Sequence, residues 1–200
     1  MTTLPRIIII MDPIETIGPT KEKDTTLGMM MGAQDRGLEV IYTLPEALFL
    51  RESRVYTHGQ SITLDLTSDD WYQLGARELL ELGPNDIVLQ RKDPPFTMHY
   101  IHTTYLLELA ENQGAFVCNN PRSLRDCNEK MFAMQFPELT PMTLVTSQAA
   151  EIKAFIDTHR DTIVKPLDGM GGAGVFRVRH NDPNLNVILE TLTEHGKTSI

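Results

Sequence analysis

Cysteine is scarce in this sequence: Cys118 and Cys127 are the two among 200 residues. Their spacing makes neither a disulfide framework nor a metal or redox motif, and they read as the reduced thiols of a cytosolic protein. Positive charge is short as well. Lys and Arg total 18 against 27 Asp and Glu, a formal net charge of −9. That balance argues against general nucleic-acid binding or an anionic membrane surface, while leaving room for a local basic pocket. Long hydrophobic runs are missing. The apolar stretch at residues 7–11 stops at Asp12-Pro13 and is too short for a signal or membrane segment. No internal repeat or low-complexity tract stands out. What is present is ordinary for a folded chain, 41% hydrophobic and 22% charged, in a length that suits one or two domains.

Chemistry concentrates in residues 163–178, IVKPLDGMGGAGVFRV. A β-branched run, a lysine and a proline precede a glycine-dense loop, and a second apolar run follows with Val175, Phe176 and Val178. This pattern predicts a β-hairpin with the loop at its tip. Gly169, Gly171, Gly172 and Gly174 remove the Cβ atoms that would hold a backbone away from a phosphate. Successive N–H groups in such a loop can form an anion-binding concavity. Lys165 sits at the base of the first strand, where its ammonium can reach the same anion.

Two familiar glycine motifs are excluded by context. Gly169, Gly171 and Gly174 spell G-x-G-x-x-G, but the dinucleotide fingerprint must run into a helix. Here residues 175–179 are β-rich and meet the turn Asn181-Asp182-Pro183. The Walker form fails because no lysine follows the glycines. A glycine loop between two strands, lying over a nucleotide, remains. The bland alternative is a flexible linker, which flanking β-runs carrying a lysine argue against.

Taken in order, residues 6–11 read as a buried strand of a parallel sheet. Thr26 is placed to cap a helix with Leu27, Met30 and Met31 inward and Gly37 as its stop, and residues 39–42 form the next strand. Strand, helix, strand is the start of an α/β unit. Residues 47–50, 54–57 and 62–66 read as a meander inserted into it. Ser68 then caps a helix carrying Trp71, Leu74 and Leu79. After the turn Gly83-Pro84-Asn85-Asp86, residues 87–90 form a buried strand that empties into Arg91-Lys92-Asp93-Pro94-Pro95. That loop, Asp12 and Asn119-Asn120 all follow strand ends, the edge at which open α/β sheets bind ligands. A solvated loop stiffened by prolines is the alternative.

A helix over 97–112 presents Ile101, Tyr105 and Leu109 on one face, and residues 115–118 form the strand after it. His99 and His102 bring no third ligand in sequence and read as a solvent-facing or packed pair rather than a metal site. Ser123 with Asp126 resembles a capping box, opening a helix with the stripe Leu124, Cys127, Met131 and Met134 and with Lys130 off its centre. Ser147 caps a helix with Ile152, Phe155, Ile156 and His159 at helical spacing. The hairpin and a helix over 185–192 complete a second unit, helices on a small antiparallel sheet.

The blocks RKDPPF, PRSLRDCNEK, TPMTLV, VKPLDGMGG and DPNLNVILETLTEHG resemble the bacterial glutathione synthetase family of ATP-grasp ligases. The opening IIIIMDPIETI and the lysines after it fit too, so the resemblance covers essentially the whole chain. It implies an α/β fold in two domains. Residues 1–121 would be a Rossmann-like, open parallel-sheet, pre-ATP-grasp domain that helps bind the dipeptide γ-glutamylcysteine. Residues 122–200 would be the first α+β lobe of an ATP-grasp fold, truncated.

By the same resemblance, Lys130 and Lys165 match two lysines that bind ATP phosphates. Asp168, Gly169, Met170, Gly171, Gly172, Ala173 and Gly174 match the loop that closes over them. Arg91 and Lys165 are the candidate catalytic residues, Arg91 holding a substrate carboxylate or the acyl phosphate. ATP phosphorylates the dipeptide's cysteinyl carboxylate, and glycine's amine attacks the acyl phosphate to give glutathione, ADP and phosphate. ATP and Mg2+ are the implied cofactors, in a cytoplasmic enzyme that is homo-oligomeric when full length. The family's metal ligands, an acidic residue and a Glu-x-Asn pair, have no counterpart in residues 1–200. No metal ligand is therefore assigned, and the chain is expected to be an inactive fragment. Other ATP-grasp carboxylate–amine ligases would share the lysines and the loop but not RKDPPF together with RDCNEK. A non-catalytic ATP-binding module is the alternative from another class.

Overall fold

Four consecutive isoleucines leave no polar face, so Arg6–Ile10 (β1) is a strand with both sides covered. The computed structural model describes residues 4–18 and 21–200. In it β1 pairs in parallel with Glu39–Thr43 (β2) on one side and Asp86–Gln90 (β6) on the other. Phe116–Cys118 (β7) continues the parallel set beside β6. Helix Thr25–Gln34 (α1) lays Leu27, Met30 and Ala33 against Ile7, Ile9 and Met11. Helix Met98–Asn112 (α2) lays Leu107 and Ala110 on the other face, against Ile8, Ile10 and Val88. Ile8, Ile9 and Ile10 are wholly buried, each contributing about 2 kcal/mol. Ile10 stands level with Thr43 and Gln90, so three strand ends open onto one edge.

The rest of the sheet is antiparallel. Leu48–Arg51 (β3), Arg54–Leu64 (β4) and Tyr72–Glu81 (β5) extend it to seven strands in the order β3-β4-β2-β1-β6-β7, with β5 on β4. The parallel core is the one the sequence implies, but the sheet as a whole is mixed. One expectation fails here: the stretch carrying Trp71, Leu74 and Leu79 is strand β5, not a helix. YQLGARELLE is rich in helix-forming residues, yet it pairs with β4 from Leu64 beside Tyr72 to Tyr56 beside Glu81. Close strand approach is written in two glycines. A Cβ on Gly59 would lie 2.5 Å from Ile41 Cγ2, and one on Gly75 would lie 2.2 Å from Ser61 Oγ.

Helix boundaries and faces also differ from the sequence reading. Asp24, not Thr26, caps α1: its Oδ1 accepts from Thr26 N at 2.7 Å and Leu27 N at 2.9 Å. On α2 the buried residues are Thr103, Thr104, Leu107 and Ala110, whereas Tyr105 and Leu109 are exposed. Threonine hydroxyls that bond carbonyls one turn back, Thr103 to His99 and Thr104 to Ile101, are masked enough to face inward.

The chain forms two compact units, Met1–Asp126 and Cys127–Ile200. The sequence reading divided it at Pro121. Helix Pro121–Asp126 (α3) stays with the first unit because Arg122 and Arg125 both pair with Glu108 of α2. The long helix expected across residues 123–134 does not form. It ends at Asp126, because Asn128 Oδ1 takes the amides of Lys130 and Met131 in a local turn.

In the second unit, helix Ala149–His159 (α4) and helix Leu185–Leu192 (α5) accompany the hairpin of Asp161–Val164 (β8) and Phe176–Arg179 (β9). Ile152, Ile156, Val164, Val178, Leu189 and Ile200 form its core. Ser147 lies ahead of α4 rather than capping it; Gln148 holds the cap position without a side-chain bond.

Candidate functional site

Residues 165–175 connect β8 to β9, since Val164 pairs with Phe176 and the ladder goes no further. Arg177, opposite Ile163, reaches along the ladder to its far end and donates to both carboxylate oxygens of Asp161, at 2.9 and 2.6 Å. The loop therefore hangs from an anchored ladder. Within it Ala173 N donates to Met170 O at 3.0 Å and Val175 N to Gly172 O at 3.2 Å, two tight turns in succession. Gly171, Gly172 and Gly174 have φ of +60°, +81° and +69°, a region costly for any residue with a Cβ. Gly169 is needed for a different reason: a Cβ there would sit 2.7 Å from Pro166 Cγ. Asp168 and Met170 are exposed at the loop's surface. Small residues and successive left-handed turns are features of an anion cradle.

The two lysines stand differently. Lys130 Nζ donates to Gly169 O at 2.6 Å and pairs with the Glu129 carboxylate. An ammonium has three donors, so one remains for an anion. Lys165 is exposed and makes no hydrogen bond or ion pair among the described residues, so its charge is wholly available. The fold thus brings Lys130 to the loop, with Lys165 at the loop's root. Sequence reasoning missed the residue that joins them. Asn128 accepts the Lys130 amide at 3.0 Å and donates from Nδ2 to Leu167 O at 3.0 Å. An asparagine two residues before a lysine was a usable turn signal, hidden by the apolar stripe around it.

Arg91 belongs to the first unit. It leaves the end of β6, its amide held by Ile10 O at 2.7 Å, and lines a cleft of about 370 Å³ with Asp12, Thr16, Lys23, Asp24 and Asp93. Asp12 organises this edge. Its carboxylate pairs with Lys92 Nζ at 2.8 Å and accepts from Asp93 N at 3.0 Å. The sequence placed Asp12 and Arg91 at strand ends, and register makes those ends adjacent. The N-terminal turn of α1 also walls the cleft; the sequence marked a helix start there, at Thr26, but not its place in the site.

His99 lies 3.5 Å from Glu46, and the His102 ring lies 6.4 Å from that of Tyr105, tilted by 34°. Among the described residues no three His, Cys, Asp or Glu side chains gather to hold an ion. Cys118 and Cys127 are both free thiols. No helix among the described residues is long and apolar enough to cross a membrane.

Two family models match the chain. That of the prokaryotic glutathione synthetase N-terminal domain covers residues 6–125, and that of the prokaryotic glutathione synthetase ATP-grasp domain covers residues 129–200. The glutathione synthetase of Vibrio parahaemolyticus is 50% identical over 189 residues, 94% of this chain and 59% of that protein. That of Escherichia coli O6:H1 is 47% identical over 188 residues, again with 94% and 59% covered. The chain therefore spans about 59% of the length of these curated relatives. Among solved structures, D-alanyl-alanine synthetase A of Vibrio cholerae superposes with a TM-score of 0.54 at 15% identity, over 98% of this chain and 57% of its own. The ATP-grasp ligase PsnB with its minimal precursor gives 0.56 at 16%, over 95% and 61%. These distant likenesses bear on the fold alone.

Proposed function

The chain belongs to the prokaryotic glutathione synthetase family, and from that premise we propose that it supplies two working parts of an ATP-dependent ligase joining γ-glutamylcysteine to glycine. The loop at residues 168–174 with Lys130 and Lys165 grips the phosphates of ATP. The cleft around Arg91 holds the dipeptide. The observation that carries the reading is the cradle itself: three left-handed glycines, a fourth whose Cβ would strike Pro166, and an exposed ammonium at the root.

Phosphoryl transfer needs positioning and charge neutralisation more than covalent help. Lys165 and the third donor of Lys130 neutralise phosphate charge, and loop amides orient the oxygens. The cysteinyl carboxylate attacks the γ-phosphorus as the bond to the bridging oxygen breaks and ADP leaves. The glycine amine then attacks the acyl carbon, phosphate departs, and the amine gives up its proton. Arg91 holds a carboxylate of the dipeptide. The acyl phosphate is open to water, and a glycine loop able to swing over it limits hydrolysis. The family resemblance implies Mg2+ as well, but the described residues do not fit a magnesium cage. Free thiols at Cys118 and Cys127 agree with work in a reducing, cytoplasmic compartment.

The test is ADP release by the full-length enzyme given ATP, γ-glutamylcysteine and glycine. Release that requires both the dipeptide and glycine supports the reading. Release supported equally by unrelated amino acids would point to another carboxylate–amine ligase.

A further inference from the structure

We infer that Thr25 and Thr26 are positioning residues that aim Arg91 at its substrate carboxylate, an inference that rests on the reading of Arg91 just given. Arg91 Nε donates to Thr26 Oγ1 at 3.1 Å, and one terminal nitrogen donates to Thr25 Oγ1 at 3.0 Å. The side chain is thus held at two points on one edge, while its backbone amide is fixed to Ile10 O. A guanidinium has five donors in a rigid fork, so fixing Nε and one neighbour sets the direction of the rest. Those remaining donors belong to a residue lining the cleft.

The chemistry of the acceptors matters as much as their place. A hydroxyl holds a guanidinium without cancelling its charge, whereas a carboxylate would form an ion pair and compete with an anionic substrate. Carboxylates are close by, but two are committed elsewhere. Asp24 Oδ1 caps α1 through Thr26 N and Leu27 N, and Asp12 holds Lys92 and the Asp93 amide. Asp93 lines the cleft without a bond to Arg91 among the described residues. The Asp24 cap also fixes the turn that presents both threonines, and Thr26 is only 7% exposed. The start of α1 is therefore a rest for Arg91, joining a strand end to a helix start across the cleft.

Valine replaces threonine with little change of shape, so the test is the double variant T25V/T26V in the full-length enzyme. The KM for γ-glutamylcysteine is expected to rise about tenfold with the KM for ATP unmoved, since a misdirected fork loses most of one charge-assisted bond. Thr26→Ser in place of the valine should recover most of the loss. In this chain, the Arg91 Nε–H resonance should lose its protection from solvent exchange in Thr26→Val and keep it in Thr26→Ser. Retained protection in the valine variant, or a dipeptide KM that rises in Arg91→Ala but not in T25V/T26V, would overturn the inference. An unchanged dipeptide KM in Arg91→Ala would overturn the reading of Arg91 and this inference with it.

Discussion

Lys165 carries the sharpest expectation for a single residue. It is exposed, and its ammonium meets no anion among the described residues. Lys165→Ala removes the neutralising charge where phosphate charge moves, and should lower kcat/KM by about a hundredfold with stability unchanged. Steady-state kinetics of the full-length enzyme check this, and a near-wild-type value would take Lys165 out of the phosphate site. Glu108 makes a different kind of prediction. Hydrogen bonds from Arg125 and Arg122 hold its carboxyl below the usual carboxylate range. The folded pKa is the lower one, so the stabilisation is complete above the unfolded value of about 4.3. It is lost as pH falls through the folded value. Urea midpoints of the wild type and Glu108→Gln should differ at neutral pH and converge on acidification. A gap constant with pH would contradict the ion-pair account of how α3 is held.

Among elements, the hairpin was legible and β5 was not. The hairpin announced itself in two β-runs of residues 163–178 separated by four glycines, all of it local. The strand β5 depends on β4, and nothing within YQLGARELLE reports a partner that pairs Tyr56 with Glu81. The same holds for α2, where Tyr105 and Leu109 have the apolarity of a core but face out, while two threonines face in. Gly59 tests the close approach of β4 to its neighbours. Gly59→Ala places a methyl 2.5 Å from Ile41 Cγ2 and should destabilise the chain by ~1–3 kcal/mol in urea unfolding. No loss would mean that β2 and β4 have slack the packing does not show. Gly171 tests the loop by backbone alone. A side chain there meets nothing within 4 Å, yet φ is +60°. Gly171→Val should therefore raise the KM for ATP severalfold and cost ~1–3 kcal/mol of stability through backbone strain alone. Unaltered kinetics would reduce the loop to a connector.

For the whole molecule, the parallel core, the second α+β unit and the family could all be taken from sequence blocks spread along the chain. The candidate residues were legible by type and place: Arg91 at a strand end, Lys165 at a hairpin root, glycines at its tip. What could not be read was their support. Asn128 tying Lys130 to the loop base, Asp12 fastening the segment after Arg91, and the threonines of α1 all act across gaps in sequence that only the folded chain closes. Sequence pattern reports what each residue can do; long-range hydrogen bonds decide which residue does it beside which other.

The central claim is that the glycine loop and its two lysines hold the phosphates of ATP. Titration of the 15N-labelled chain with ATP, followed by amide resonances, tests it most directly. The account predicts that the largest saturable changes fall on the amides of Gly171, Gly172 and Gly174 and on the signals of Lys130 and Lys165, and that adenosine without phosphates leaves them in place. Saturable changes gathered around Arg91 and the start of α1, with those glycine amides unmoved, would contradict it.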